Sequence, residues 1–186
     1  MTRIVAGTRG GRRIVAPAGR DTRPTSDRVR EALFSTLEAL IDLPGSRFVD
    51  LYAGSGAVGL EAASRGVASV LLVESEPTAA RIARQNIATL DLGGVCRLEA
   101  AGVAAVLEAG TASPYDVVFA DPPYPTTDEE VAATLAAIIA RDWLKADGLV
   151  VVERSTRSPE PIWPKGVTGE RGRRYGETTL WYGRRA

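Results

Sequence analysis

Short β-prone runs alternate with helical segments over most of this chain, and that alternation limits the possible folds more than any other feature. The runs predict strands at residues 47–51, 69–73, 95–98, 116–120 and 149–153. The segments between them predict helices at residues 57–64, 77–90, 103–109 and 128–141. Two final β-prone runs predict an antiparallel hairpin at residues 167–174 and 178–182. Because repeated strand–helix units require a mostly parallel sheet with helices on both faces, the sequence predicts an α/β fold.

The first 40 residues follow a different pattern. Residues 3–6 and 12–16 are β-prone and flank several glycines, which predicts a β-hairpin. A segment rich in glycine, proline and polar residues follows, and a helix is predicted to begin near Ser26, a good N-cap residue. We therefore expect a basic hairpin arm with its linker at residues 1–22 and a main domain at residues 23–186.

The chain has no net charge, but its charges are unevenly placed. Residues 1–30 hold eight arginines against two acidic residues, so this segment carries +6 and the remainder −6. A general preference for arginine over lysine would not explain this clustering. Arginine binds phosphate through paired hydrogen bonds and stacks on bases, so a basic arm indicates nucleic-acid binding. The residues expected to bind nucleic acid are Arg9, Arg12, Arg13, Arg20 and Arg23.

The residue types that the chain lacks exclude several kinds of chemistry. It contains no histidine, which excludes Ser-His-Asp and Cys-His catalysis and zinc sites with histidine ligands. Its single cysteine, Cys96, cannot form an intrachain disulfide. No apolar run approaches the roughly 18 residues of a membrane span, and the first residues lack the apolar stretch of a secretory signal. We therefore expect a cytoplasmic protein without metal or membrane association, whose catalysis relies on carboxylates, backbone groups or an organic cofactor.

A glycine-rich turn follows the first predicted strand of the main domain. This strand contains Asp50 and leads into residues 52–59, which read YAGSGAVG and open the next helix. Glycine lets the backbone approach a ligand closely at a helix N-terminus. Glu74, at the end of the next strand, can accept hydrogen bonds from ribose hydroxyls. The glycine spacing also matches the dinucleotide fingerprint, so two classes of cofactor have to be compared.

Two features favour S-adenosyl-L-methionine over NAD as the cofactor. A carboxylate at Asp50 can pair with the positively charged methionine end of S-adenosylmethionine. Hydride chemistry would need a proton-transfer partner, such as a histidine or a Tyr-x-x-x-Lys pair, and none follows. The expected cofactor contacts at this turn are Asp50, Ala53, Gly54, Ser55, Gly56 and Glu74.

A second motif, Asp121-Pro122-Pro123-Tyr124, follows the predicted strand at residues 116–120, at the sheet edge where α/β proteins bind ligands. The amine of a nucleic-acid base is a poor nucleophile because its lone pair is delocalised into the ring. The Asp121 carboxylate and the Pro122 carbonyl can hold the two amine protons and turn the lone pair toward a methyl donor. The prolines fix the backbone, and Tyr124 offers a ring on which an extruded base can stack. The motif therefore predicts methyl transfer to a base amine.

Several segments together resemble one known family. They begin with RIVAG at residues 3–7 and are most specific at residues 23–34, which read RPTSDRVREALF. They continue with DLYAGSG at residues 50–56, Glu74, and DPPY at residues 121–124, and thus cover nearly the whole chain. This pattern resembles the RsmD family of bacterial guanine-N2 methyltransferases of small-subunit ribosomal RNA. The DPPY motif alone does not choose the base, because adenine and cytosine amino-methyltransferases share it.

The resemblance implies a Rossmann-like class I methyltransferase fold with an N-terminal β-hairpin extension. It implies S-adenosylmethionine as the donor and the N2 amine of one guanine in 16S rRNA as the acceptor, within the assembled or assembling small ribosomal subunit. It also places the Arg-Pro-Thr segment near the cofactor, which makes Thr25 an expected cofactor contact. A monomer is expected for so compact an enzyme.

One position departs from the family pattern. Methyltransferases of this type often place an Asp after the third strand to bind the adenine amine, but residues 99–103 read EAAGV. We expect the backbone near Ala101 to take that role, or apolar contacts to hold the adenine.

Three other functions remain open on the sequence alone. The first is an amino-methyltransferase that acts on adenine or cytosine in DNA or another RNA, although the chain has no room for a large target-recognition domain. The second is a non-catalytic RNA-binding module that has lost its cofactor. The third is an NAD-dependent dehydrogenase.

Overall fold

The computed structural model describes residues 2–17 and 26–186, with Ser26 described by its backbone alone. The strands are β1 (Thr2–Arg3), β2 (Arg13–Ile14), β3 (Arg47–Leu51), β4 (Ser69–Val73), β5 (Cys96–Glu99), β6 (Tyr115–Ala120), β7 (Leu144–Ser155), β8 (Val167–Tyr175) and β9 (Thr178–Arg185). The α-helices are α1 (Ser26–Leu40), α2 (Ala57–Ser64), α3 (Pro77–Thr89), α4 (Val103–Ala109) and α5 (Asp128–Ala140).

The main sheet has the strand order β5-β4-β3-β6-β7-β9-β8. The strands from β5 to β7 are parallel, whereas β9 pairs antiparallel with both β7 and β8. This confirms the predicted α/β fold, with its mostly parallel sheet and C-terminal antiparallel hairpin. The strand order reverses between β3 and β6, and ligands of open α/β sheets bind at the carboxyl end of such a switch point.

Strand β7 starts earlier than the predicted residues 149–153. Leu144 pairs with Tyr115 and Leu149 pairs with Val117, so the residues between Leu144 and Leu149 form an irregularity inside the ladder. Asp147 there has a φ of 63°, a conformation more usual in turns. The Asp-Gly pair thus indicates a turn in the sequence, while in the structure it forms a bulge within one long strand.

Successive side chains of the parallel strands point to opposite faces of the sheet and pack into two hydrophobic cores. Phe48 belongs to the core covered by α1, α2 and α3, whereas its neighbour Val49 belongs to the core covered by α4 and α5. This is the pattern of a sheet buried on both faces. The carboxyl ends of β3, β4, β6 and β7 therefore meet at one edge, between the two layers of helices.

The N-terminal arm, defined as residues 2–17, forms the predicted hairpin with shorter strands than expected. Thr2 pairs with Ile14 across β1 and β2, and the Ile4 N–H donates to the Arg12 carbonyl at 2.9 Å. Ile4 and Ile14 are buried in the core covered by α1, α2 and α3. The arm is therefore packed into the main domain. The predicted boundary between residues 22 and 23 lies outside the described residues.

A buried carboxylate on α2 fastens the arm to the domain. Glu61 is fully buried and accepts hydrogen bonds from the backbone N–H groups of Val5 at 2.8 Å and Ala6 at 3.0 Å. Arg30 of α1 and Arg65 at the end of α2 donate to the same carboxylate at 3.1 and 3.2 Å. One side chain thus links the arm, α1 and α2, and two guanidinium groups balance its charge.

We predict that Glu61→Gln lowers the free energy of unfolding by about 3–5 kcal/mol, because removing one partner of a buried ion pair leaves the other charges uncompensated. Denaturation by urea measures this loss. Glu38→Gln is the matched control, since Glu38 pairs with Arg65 at the surface and should contribute no more than about 1 kcal/mol. Equal losses in the two variants would contradict the role assigned to Glu61.

Candidate active site

The turn between β3 and α2, here called the glycine loop (residues 52–56), bends sharply to start the helix. Tyr52, Gly54 and Gly56 have φ values of 62°, 58° and 86°. Glycine adopts such values without strain, and Gly56 in this conformation is the N-cap of α2. The loop therefore turns the N-terminus of α2 toward the carboxyl edge of the sheet.

Two acidic residues at strand ends hold this loop at both sides. Glu74, just after β4, accepts the N–H of Gly54 at 2.7 Å with one oxygen and the N–H of Glu76 at 2.9 Å with the other. Asp50 of β3 accepts the N–H of Gly59 at 3.0 Å. Both acids are buried, and both border the cavity described below. The two acids that the sequence predicts to bind a ligand thus also fix the backbone conformation of the glycine loop.

Gly59 brings α2 unusually close to the sheet. A Cβ atom at this position would lie 2.2 Å from the Leu72 Cδ2 atom and 3.0 Å from the Val70 Cγ1 atom. A larger residue would therefore push α2 away from β4. The third glycine of the fingerprint thus allows close packing of helix on strand.

Asn86 of α3 is a site residue that the sequence reasoning missed. Its side-chain amide donates to the carbonyl oxygens of Val15 at 2.8 Å and Ser55 at 2.9 Å, and its oxygen accepts the Val15 N–H at 2.9 Å. Asn86 is buried on the apolar face of α3, beside Ala83 and Ile87. The sequence signal for such a role was a polar residue at a helical spacing shared with the apolar residues Ala83 and Ile87. Asn86 joins the arm to the glycine loop.

A cavity of about 850 Å³ lies at the carboxyl edge of the sheet. Its walls include Asp50, Glu74 and the expected contacts Ala53, Gly54 and Ser55. Gly56, the N-cap of α2, is outside the lining. The structure therefore brings together most of the residues expected to bind the cofactor.

The arm and α4 contribute to the same cavity in ways the sequence did not indicate. Thr2, Ala16 and Pro17 of the arm line it. Val103, at the start of α4, lines it as well, whereas Ala101 is outside the lining and packs against the core covered by α4 and α5. The part of the wall near α4 is therefore apolar. Thr25 lies outside the described residues.

The Asp-Pro-Pro-Tyr motif closes the other side of this cavity. Asp121, Pro122, Pro123 and Tyr124 all line it, directly after the end of β6. Pro122 is buried, while 79% of Tyr124 is exposed. A smaller cavity of about 400 Å³ adjoins the motif and is shared with the loop that follows β7. The motif thus stands between the two cavities, with its aromatic ring open to a binding partner.

Burial changes the acidity of Asp50. Removal from water raises the pKa of this carboxyl group from 3.8 to about 8. The hydrogen bond from Gly59 partly opposes this rise in pKa, and the negative charges of Asp121 and Glu74 add to it. A cation in the cavity would favour the ionised form of Asp50, so the position suits a positively charged ligand group.

Two of the arginines expected to bind RNA contact the end of α3. Arg9 donates to the carbonyl oxygens of Leu90 at 2.6 Å and Asp91 at 3.2 Å, and Arg12 donates to that of Thr89 at 2.6 Å. The last carbonyls of a helix lack partners within the helix and attract positive charge. Arg9 and Arg12 therefore attach the arm to the domain.

The other predicted arginines differ in position. Arg13 is exposed on β2. Arg20 and Arg23 lie outside the described residues. Arg12 is exposed as well, but its guanidinium donates to the Thr89 carbonyl at the end of α3.

Within residues 2–17 and 26–186, no cluster of three or more histidine, cysteine, aspartate or glutamate side chains has the arrangement of a metal site. No helix in the same residues is both long and apolar enough to cross a bilayer.

The sheet order, the glycine loop and the strand-end motif define a Rossmann-like class I methyltransferase fold. Magnesium protoporphyrin IX methyltransferase from Synechocystis, solved with bound S-adenosylmethionine, has the same fold, with a TM-score of 0.66 at 17% identity over 94% of this chain and 89% of that one. The chain itself belongs to the family described as Conserved hypothetical protein 95, whose profile matches residues 2–184.

Named relatives agree with this assignment. Ribosomal RNA small subunit methyltransferase D of Escherichia coli is 34% identical over 162 residues, which cover 87% of this chain and 79% of the relative. The protein of the same name from Haemophilus influenzae is 36% identical over 84% of this chain and 80% of its own length. The solved structure of Escherichia coli yhhF superposes with a TM-score of 0.87 at 30% identity and covers 98% of this chain and 97% of that one. The predicted family is thereby confirmed.

The raised pKa of Asp50 predicts a specific pH dependence of stability. Between pH 3.8 and about 8 the folded protein keeps a proton that the unfolded chain releases, so stability falls as pH rises through this range. Asp50→Asn removes this dependence while keeping an acceptor for Gly59. As the pH rises toward 8, the free energy of unfolding of the variant should therefore increase relative to that of the parent by up to about 1.4 kcal/mol per pH unit.

Urea denaturation at several pH values measures this difference. Asp42→Asn, at an exposed position between α1 and β3, serves as the matched control. Its free energy of unfolding should differ from that of the parent by the same amount at every pH. If the Asp50→Asn and parent curves run parallel, Asp50 is ionised in the folded protein.

Proposed function

We propose that this protein transfers a methyl group from S-adenosylmethionine to the N2 amine of a guanine in 16S rRNA of the small ribosomal subunit. The observation that carries the proposal is the position of Asp121-Pro122-Pro123-Tyr124 on the wall of the cavity bordered by the glycine loop. The names of the relatives from Escherichia coli and Haemophilus influenzae support rRNA of the small subunit as the substrate. The proposal places the enzyme in the cytoplasm, as a monomer that acts on the assembled or assembling subunit.

The larger cavity has the groups that would hold the methyl donor. Asp50 is buried and gains from a nearby cation, which suits the charged methionine end of the cofactor. Glu74 uses each oxygen once, and a carboxylate oxygen can accept a second hydrogen bond, so ribose hydroxyls can bind here as well. Val103 and Val73 supply apolar wall for an adenine ring. When bound, S-adenosylmethionine supplies an electrophilic methyl group.

The protein residues then have to prepare the acceptor amine. The Asp121 carboxylate and the Pro122 carbonyl accept its two protons, which turns the nitrogen lone pair out of conjugation with the ring. Pro122 is buried and has a fixed φ, so its carbonyl is held in place before the base arrives. Asp121 is exposed, so the proton released on methylation can pass through it to solvent.

Tyr124 and the arm are proposed to hold the RNA. The exposed Tyr124 ring provides a stacking surface for a base that has left its helix. Arg13 faces solvent on the arm, and Arg20 and Arg23 belong to the same basic stretch of sequence. Arg9 and Arg12 support RNA binding by holding the arm in position.

Transfer of a labelled methyl group to small subunits from cells that lack the enzyme tests this function. The parent protein should label the 16S rRNA of these subunits, and digestion should yield N2-methylguanosine. Asp121→Ala should lower the rate by at least about 100-fold, because the amine loses its acceptor, while calorimetry shows nearly unchanged cofactor binding. Asp42→Ala should keep the parent rate. Labelling of duplex DNA in place of subunits, or full turnover by Asp121→Ala, would contradict the proposal.

Arg13→Ala and Arg12→Ala separate RNA contact from arm attachment. Arg13→Ala should weaken RNA binding, reduce the salt slope by about one unit and leave the stability unchanged, because an exposed cation that contacts phosphate releases about one counterion. Arg12→Ala should lower the free energy of unfolding by about 1 kcal/mol through the loss of its hydrogen bond to Thr89. Filter binding at several salt concentrations and urea denaturation measure these effects. Equal salt slopes for Arg13→Ala and the parent would exclude a phosphate contact by Arg13.

A further inference from the structure

Glu153 of β7 stands beside the Asp-Pro-Pro-Tyr motif and borders both cavities. In the parallel pair of β6 and β7, Ala120 lies opposite Val152. Asp121 directly follows the end of β6 and Glu153 follows Val152 within β7, and neighbouring strands of a sheet lie about 4.8 Å apart. The sheet therefore places two acidic residues on neighbouring strands at the place where the acceptor base is proposed to bind, and both line the two cavities.

The orientation of Glu153 follows from the alternation of the strand. Val152 faces the core covered by α4 and α5, so the next side chain faces the opposite side, where α1 and the arm border the larger cavity. Arg154 is directed the other way and donates to the Asp128 carboxylate at 2.8 Å and the Thr126 carbonyl at 3.2 Å. The side chain of Glu153 thus faces the cavity that Asp121 also lines.

The bases that carry an exocyclic amine differ in the atom next to it. In guanine the neighbouring ring nitrogen, N1, carries a proton, so the N1–H and the two N2 protons form a row of three donors. In adenine and in cytosine the ring nitrogen on the Watson–Crick edge beside the amine carries a lone pair and accepts hydrogen bonds. A carboxylate has only acceptors. Placed against this ring nitrogen, it attracts the N1–H of guanine and repels the lone pair of adenine or cytosine.

We propose that Glu153 selects guanine by accepting its N1–H while Asp121 and the Pro122 carbonyl accept the protons of the N2 amine. This assignment rests on the proposed methyl transfer and adds the choice of base, which the Asp-Pro-Pro-Tyr motif shares among several amino-methyltransferases. Three adjacent acceptors match the three donors of guanine. Adenine or cytosine would bring a ring-nitrogen lone pair against the Glu153 carboxylate, and this repulsion disfavours both bases relative to guanine.

The test compares guanine and adenine at the methylated position, once that position has been mapped. Small subunits are reconstituted from 16S rRNA transcripts that carry either base there, and the products are identified by mass spectrometry of nucleosides. The parent should methylate guanine and leave adenine unmodified. Glu153→Gln should lower kcat/KM for guanine by about 10- to 100-fold and should methylate adenine measurably, because a glutamine amide can donate to the adenine N1 atom.

Further variants keep this result interpretable. Glu177→Gln, at the turn between β8 and β9 and outside the lining of both cavities, makes the same chemical change nearby and should behave as the parent. Glu153→Asp keeps the negative charge and should continue to reject adenine even where it is slower. Thermal melting and cofactor binding by Glu153→Gln should match the parent, which separates base selection from folding.

Two outcomes would overturn the proposals, and they are distinguishable. If the parent is specific for guanine and Glu153→Gln keeps the same kcat/KM and the same rejection of adenine, Glu153 does not read the base. If the parent itself methylates adenine or no RNA at all, the proposed function fails, and the assignment of Glu153 fails with it.

Discussion

The active-site geometry depends on the way two strand-end carboxylates hold the glycine loop. Glu74 accepts the N–H of Gly54, and Asp50 accepts the N–H of Gly59, so both ends of the turn are tied to the carboxyl edge of the sheet. Without these hydrogen bonds, the two backbone N–H groups would need other acceptors, such as water, and the loop would lose its fixed conformation. Asp50 is buried where it holds the loop, and this burial raises its pKa to about 8. A cation beside Asp50 would stabilise its ionised form.

The N-terminal arm is joined to the same loop through buried polar groups. Asn86 of α3 binds the backbone of Val15 in the arm and of Ser55 in the loop, and Glu61 of α2 accepts the N–H groups of Val5 and Ala6. A displacement of the arm would therefore disturb the cavity wall as well as any RNA contact.

The sequence predicts the strands, helices and strand-end motifs well because these features depend on local periodicity and on short spacings. The bulge near Asp147 was missed because an Asp-Gly pair has the same local preference in a turn and in a bulge. Arg9 and Arg12 look like phosphate ligands in the sequence, and only the fold places the end of α3 beside them. Asn86, Val103 and Glu153 are brought to the site by pairings between distant segments, which a single sequence does not record.

The proposed methyl transfer requires one cavity to hold the methyl donor between Asp50 and Glu74 and to present it to the edge that carries Asp121. A crystal structure of the protein with S-adenosylhomocysteine tests this claim most directly. We expect the ligand to occupy the larger cavity, with its amino-acid end at Asp50, its ribose at Glu74 and its adenine against Val103. A ligand bound in the smaller cavity, or bound with its ribose away from Glu74, would contradict the account.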